Sequence, residues 1–195
     1  MKQVLYIDCC IRKDISRTKE LASFFIDTLQ QRSDINIHTL YLPNENLYLS
    51  PDIFALREKL IREKSFSHNI FQHAKDFAGF DKIIIAAPFW DLSFPALLKM
   101  YIEAVCVENI TFACNATGIF GICKADHLVF ITTRGGIYQN NPLEMGIPYI
   151  KAMTEFWGIK KFSSVVAEGL DLETENPHRI LEQAKANTQN IAQSF

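Results

Sequence analysis

The chain lacks long apolar runs, an excess of positive charge and paired Cys-x-x-Cys spacing, and it has only eight glycines in 195 residues. Each shortage excludes a class of protein. The longest apolar stretches fall far short of the ~20 residues that a membrane span needs, so no membrane association is expected. Twenty Lys and Arg stand against 22 Asp and Glu, a formal net charge of −2. Non-specific nucleic-acid binding depends on clustered cations that neutralise phosphates, so no nucleic-acid partner is expected. The five cysteines, Cys9, Cys10, Cys106, Cys114 and Cys123, are odd in number and the five histidines are scattered. Neither a disulfide framework nor zinc-ligand spacing emerges, and no metal is expected. Buried free thiols in a reducing compartment are the default reading. Met1-Lys2-Gln3 leads straight into a strand-like run with no signal-peptide pattern, so the expected location is cytoplasmic.

What is present is an alternation of strand-like and helix-like segments. Val4 to Cys9 is an apolar run of strand length, and the adjacent Cys9 and Cys10 should point to opposite faces. Ser16 is placed to cap a helix whose apolar positions Leu21, Phe24, Phe25 and Leu29 recur at helical spacing. Ile35 to Leu40 alternates as a strand does, and Pro43 to Ser50 reads as a loop. Ser50-Pro51 suits a cap followed by proline in the first turn. A helical pattern then runs from Asp52 towards Phe77 with a break near Ser65–Ser67. Lys82 to Ala87 shows no polar alternation, as expected of a strand covered on both faces. A helix from about Pro95 to Val107 follows, and Ile110 to Lys124 reads as an irregular excursion. His127 to Thr132 is the fourth strand, Thr133 to Pro142 a glycine-bearing loop and Leu143 to Trp157 a helix. Ser164 to Glu168 is the fifth strand, and Glu175 to Gln193 the closing helix.

Five strands separated by helices imply βαβ units and a parallel sheet with helices on both faces. A chain of this size buries roughly 70% of its unfolded surface, and a single domain over 1–195 is expected. Such sheets commonly have a Rossmann-like or a flavodoxin-like order. In both, a ligand sits outside the carboxyl ends of the strands. The loops after strands one, three and four are therefore where function should be read.

The first loop, Cys10 to Thr18, has no glycine. It is neither a G-x-G-x-x-G fingerprint nor a Walker A loop, which disfavours a Rossmann-bound dinucleotide and P-loop ATP. Its hydroxyl-rich helix start, Ser16-Arg17-Thr18, suits a monophosphate at the positive end of a helix dipole, or plain capping by Ser16. The second loop, Pro88 to Pro95, carries Phe89, Trp90 and Phe94. They suit a wall against a flat heterocycle or a partner subunit, or local packing under the loop. In the third loop, Thr132 to Tyr138, the pair Gly135-Gly136 admits positive φ and lets backbone N–H groups approach a ligand, or makes an ordinary turn. Fifteen Phe, six Tyr and two Trp exceed a minimal core, and the surplus suits a pocket, an oligomer interface or simply the core.

These segments resemble the FMN-dependent NADH-azoreductases, which belong with the NAD(P)H:quinone oxidoreductases of flavodoxin-like fold. The similarity covers nearly the whole chain. Its anchors are Ser16-Arg17-Thr18, Ala86 to Leu92 with Pro95 and Lys99, Ile110-Thr111-Phe112, Thr133 to Ile137 and Ala167-Glu168-Gly169. The resemblance implies an α/β three-layer sandwich with a five-stranded parallel sheet of order 2-1-3-4-5. It implies a homodimer that binds FMN, takes hydride from NADH or NADPH and passes electrons to a quinone or azo compound in a ping-pong cycle. Carried over by motif, Cys10, Ser16, Arg17 and Thr18 would surround the FMN phosphate. Phe89, Trp90, Asp91 and Leu92 would flank the ring, and Thr133, Arg134, Gly135 and Gly136 would border its other edge. Backbone N–H groups around Gly135 and Gly136 would stabilise negative charge on the reduced ring. Phe112, Phe120 and Tyr138 would form the acceptor pocket, from one subunit or both, with specificity set between Ala113 and Ala125. The hydride chemistry belongs to the cofactor, so no catalytic side chain is assigned, and His127 and His178 are read as core or surface residues.

Two positions depart from the family pattern. Cys10 stands where Ser is usual, and a thiol is the weaker donor. Asp91 stands where Asn is usual. An ionised carboxylate there would repel a reduced, anionic ring and lower its potential, whereas a buried, protonated one would donate a hydrogen bond. Two competing readings remain. One is a flavodoxin-like electron carrier, against which the mild charge speaks, because carriers usually steer to partners by strong acidity. The other is a flavin-free binding or regulatory protein that retains the fold.

Overall fold

The computed structural model describes residues 1–195. Along the chain run β1 (Lys2–Asp8), α1 (Arg17–Gln30), β2 (Ile35–Tyr41), α2 (Pro51–Arg62), α3 (Gln72–Gly79), β3 (Lys82–Ala86), α4 (Ala96–Val105), β4 (Phe112–Asn115), β5 (Gly118–Gly121), β6 (His127–Thr133), α5 (Gly146–Phe156), β7 (Lys161–Ala167) and α6 (Pro177–Ser194). Five strands pair in parallel in the order β2-β1-β3-β6-β7. Counted among the sheet strands alone this is 2-1-3-4-5, the flavodoxin-like order.

The period-2 geometry of a strand sends neighbouring side chains to opposite faces, and each face meets its own helices. Val4, Tyr6, Ile84, Val129 and Val165 pack with Leu21, Phe25 and Leu29 of α1 and Leu181 and Ala184 of α6. Leu5, Ile7, Ile83, Ile85, Leu128 and Phe130 pack on the other face with Phe77 of α3, Leu98 and Tyr101 of α4, and Ile150 and Trp157 at α5. Every residue of β3 and β6 is buried, which explains their unbroken apolar runs. Cys9 joins one core and Cys10 the other, as adjacent positions leaving a strand should.

The structure differs from the sequence reading between the strands. The helical pattern after Ser50 is two helices separated by residues 63–71, not one with a short break. α2 ends where Lys64 adopts φ +53. The N–H groups of Lys64 and Ser65 close back on Ile61 and Leu60 at 3.0 and 2.9 Å, a Schellman closure. That position usually holds glycine, so with lysine there the apolar period runs on through the stop. The segment from Ile110 to Lys124 is not irregular, since β4 and β5 form an antiparallel hairpin with Asn115 opposite Gly118. Its turn is held by Asn115 Oδ1, which accepts from Thr117 N at 2.9 Å and Thr117 Oγ1 at 2.6 Å. α5 begins at Gly146 rather than Leu143, and β7 begins at Lys161 rather than Ser164.

Candidate active site

Asp8 closes β1 and is 1% exposed. Its carboxylate accepts from Cys10 N at 2.9 Å and pairs with Lys19, fixing the loop that follows. Ser16 caps α1, its Oγ accepting from Lys19 N at 3.3 Å. The N–H groups of Arg17 and Thr18, in the first turn, have no acceptor within the chain. They and the helix dipole make this end of α1 favourable for an anion. Thr18 Oγ1 lies 2.6 Å from Thr133 Oγ1, joining the first loop to the third. The Arg17 guanidinium reaches across to donate to Leu170 O at 2.9 Å and pairs with Asp171 Oδ1 at 2.8 Å. Cys10 is 1% exposed, and its Sγ points to Ala86 O at 3.8 Å. Burial, then the Asp8 carboxylate, pushes its thiol well above the ordinary range. It is an inert core thiol.

The second loop turns tightly at Trp90–Ser93. Trp90 N donates to Ser93 O at 3.2 Å and Ser93 N to Trp90 O at 2.8 Å. The two central residues, Asp91 and Leu92, have φ +50 and +68. Such a turn ordinarily takes Asn and Gly, and a side chain as large as Leu92 is strained there. Met145 N braces the turn by donating to Leu92 O at 3.0 Å. Asp91 is exposed, so the buried-carboxyl alternative falls away. Trp90 is 37% exposed, and Phe89 packs on Tyr138 with centroids 4.7 Å apart.

Gly135 and Gly136 do not use the positive φ their composition allows; their value is space. A Cβ on Gly135 would lie 2.1 Å from Asp171 Oδ2, and one on Gly136 3.1 Å from the Tyr138 ring. Their carbonyls accept from Asp171 N and Gly169 N, both at 3.0 Å, while their own N–H groups have no acceptor within the chain. Arg134 turns the other way. It is 3% exposed, its guanidinium lies 4.7 Å from the Phe89 ring centroid, and it pairs with Glu144 at 3.0 Å and Glu168 at 3.6 Å. Glu144 Oε1 also accepts from Gly146 N and Ile147 N, each at 3.0 Å, and Glu168 Oε2 from Tyr138 N at 3.0 Å. One buried arginine thus ties together three loops.

Ser16, Arg17, Thr18, Phe89, Trp90, Thr133 and Gly135 meet around a cleft of about 190 Å³ at the carboxyl ends of β1, β3 and β6. Cys10, Asp91, Leu92, Arg134 and Gly136 do not line it. Arg134 and Tyr138 instead line a larger cavity of about 600 Å³ with Glu144 and Glu168. Phe112 packs on Phe156 at 4.9 Å, and Phe120, opposite Ala113 on the hairpin, is 45% exposed. Neither lines a cavity that Tyr138 lines, so one chain alone does not assemble the expected aromatic trio. Sequence reasoning missed Arg12, Ile15, Pro88 and Asp171 in the cleft wall. Only the fold brings Asp171, more than 150 residues from Arg17, to that place. No group of three or more His, Cys, Asp or Glu side chains is arranged to hold a metal ion. No helix is long and apolar enough to cross a membrane.

Residues 2–192 match the family described as having a flavodoxin-like fold. Over 201 residues and the full length of both chains, the sequence is 36% identical to FMN-dependent NADH:quinone oxidoreductase 2 of Clostridium acetobutylicum. Among solved structures, the azoreductase from Bacillus anthracis str. Sterne superposes with a TM-score of 0.89 at 22% identity, covering 100% of both chains. The FMN-dependent NADH-azoreductase from B. anthracis str. Ames Ancestor, in complex with FMN, gives 0.88 at 22% identity, covering 100% of this chain and 99% of that one. The strand order, the cleft at the strand ends and the full-length identity agree: the chain belongs to the flavodoxin-like family, in the group that includes the FMN-dependent NADH:quinone oxidoreductases.

Proposed function

We propose that this single-domain chain is an FMN-dependent NAD(P)H oxidoreductase that reduces quinones and azo compounds, with NADH as its reductant. The observation that carries the reading is the convergence, in one cleft, of three features. These are the unpaired N–H groups at the start of α1, the aromatic wall of Phe89 and Trp90, and the bare backbone of Gly135. The residues fit FMN. Arg17 N, Thr18 N and the Ser16 and Thr18 hydroxyls offer donors to a phosphate. Phe89 and Trp90 offer flat faces to a ring. The free N–H groups of Gly135 and Gly136 offer donors where negative charge would develop.

Bound FMN would supply the hydride acceptance and donation itself. The protein's part is to hold and orient. Arg134 keeps Phe89 and the glycine loop in register through Glu144 and Glu168. The tight turn at Asp91 and Leu92 holds Trp90 at the cleft. We place the nicotinamide and the acceptor in turn on one face, in a ping-pong order. The homodimer expected from the family is supported by exposed apolar residues on and just after the hairpin, Ile119 at 61%, Phe120 at 45% and Ile122 at 42%. In such a dimer Phe112 and Phe120 would contribute to the partner's acceptor pocket. A cytoplasmic location goes with this reading.

The test is NADH oxidation by FMN-loaded protein with a soluble quinone and no partner protein. Saturable turnover with parallel double-reciprocal lines is expected. Absence of turnover, with flavin bound, would favour an electron carrier. Absence of bound flavin would favour a binding protein that retains the fold.

A further inference from the structure

The cleft that suits a phosphate contains a carboxylate. Asp171 lies on the loop after β7, its side chain 66% exposed, with Oδ1 2.8 Å from the Arg17 guanidinium. Its Oδ2 fills the space that Gly135 leaves by having no side chain, 2.1 Å from where that Cβ would stand. Arg17 also donates to Leu170 O at 2.9 Å. The guanidinium in the first turn of α1 is therefore committed to the opposite wall of the cleft, to one anion and one carbonyl. Backbone bonds hold that wall in place: Asp171 N donates to Gly135 O at 3.0 Å and Leu170 N to Arg134 O at 3.2 Å.

We propose that Asp171 is a resident counter-anion for Arg17, and that it sets how strongly the cleft prefers a flavin bearing a phosphate to one without. The proposal rests on the FMN reading above. A phosphate entering at Arg17 N and Thr18 N meets a guanidinium already paired with a carboxylate. It must displace that carboxylate or sit beside it against like-charge repulsion. Both lower the phosphate's net gain. A neutral flavin pays neither cost at this point, so Asp171 acts on the phosphate alone. Asp171→Asn keeps the size of the side chain and an oxygen that Arg17 can reach, and removes the charge.

The experiment is a fluorescence titration of FMN and of riboflavin into the full chain and into the Asp171→Asn, Arg17→Gln and doubly substituted proteins. Asp171→Asn is expected to tighten FMN about three- to fivefold, the scale of an exposed ion pair, and to leave riboflavin unchanged. In the Arg17→Gln background the same substitution should give no more than a minor part of that gain. Weaker FMN binding by Asp171→Asn would overturn the proposal, because Asp171 would then position Arg17 rather than compete for its ligand. Equal shifts for both flavins, an unchanged FMN affinity, or an undiminished gain without Arg17 would overturn it as well. In these outcomes the parent chain still binds FMN and the functional reading stands. If no form of the protein binds FMN, both fall together.

Discussion

Gly135 does its work by what it leaves out. An alanine there would bring its Cβ onto the end of the Asp171 side chain, which is exposed and can swing aside. Gly135→Ala is therefore expected to change the urea midpoint little, while weakening FMN at least tenfold because the methyl group stands in the cleft. Full unfolding of that variant, or unaltered FMN affinity, would contradict this. His127 shows a different residue-scale effect. It is 1% exposed, with Nε2 2.9 Å from Ser163 Oγ. Burial first, then the positive charges of Lys161 and Lys82, push its imidazole down to about 4. An unfolded histidine titrates near 6.5, so between these values the unfolded chain holds more protons. Stability is full above pH 6.5 and falls as pH drops towards 4, by about 3 kcal/mol from this residue. Denaturation of His127→Gln across that window should show a correspondingly shallower loss; identical pH profiles would refute the assignment. The sequence placed His127 as a core or surface residue, and it lies in the core; how Gly135 works was not legible. Gly-Gly suggested positive φ, which Asp91 and Leu92 adopt instead, because a tight turn braced from Met145 can impose that conformation on residues that do not advertise it.

The loops owe their order to elements that meet through a few points. Glu144 collects Arg134 and two N–H groups from the first turn of α5 on one oxygen, and its side chain is 10% exposed. Glu144→Ala leaves Arg134 buried with a weakened partner set and is expected to cost about 3–5 kcal/mol. Glu144→Gln keeps the acceptor and should cost about 1–2 kcal/mol. Equal losses for the two substitutions, by urea denaturation, would show that the hydrogen bonds add nothing beyond the ion pair. The hairpin docks by backbone. A Cβ on Gly121 would lie 1.9 Å from Trp157 C and 2.0 Å from Gly158 N, and Gly158 itself has φ +79. Neither side can yield as a side chain would, so Gly121→Ala is expected to destabilise by about 3 kcal/mol or more. A smaller loss would mean that the hairpin can lift away freely. Neither contact was legible beforehand. Four-residue strands carry too few alternations to stand out, and a close glycine contact leaves no trace in hydropathy. Strands β3 and β6 were plain for the opposite reason: cover on both faces writes itself as an unbroken apolar run.

At the scale of the molecule, the alternation of strands and helices was enough for the parallel sheet and for placing function at three strand ends. The order 2-1-3-4-5 was not in the periodicity. It came with the resemblance, and the hydrogen-bonded ladder bears it out. The cleft gathers Ser16, Arg17, Thr18, Phe89, Trp90, Thr133 and Gly135, because the start of α1, the end of β6 and the loops after β3 and β6 meet at one edge of the sheet. Asp171 and the carboxylate partners of Arg134 stayed hidden. Their importance depends on contacts across the sheet, not on local pattern. The central claim is that this cleft holds FMN and passes hydride from a nicotinamide to it. The most direct measurement is an absorption spectrum of the protein mixed with FMN, desalted, and then treated anaerobically with NADH. The account predicts a flavin band that survives desalting and bleaches when NADH is added. A colourless protein, or a retained band that NADH leaves untouched, would contradict it.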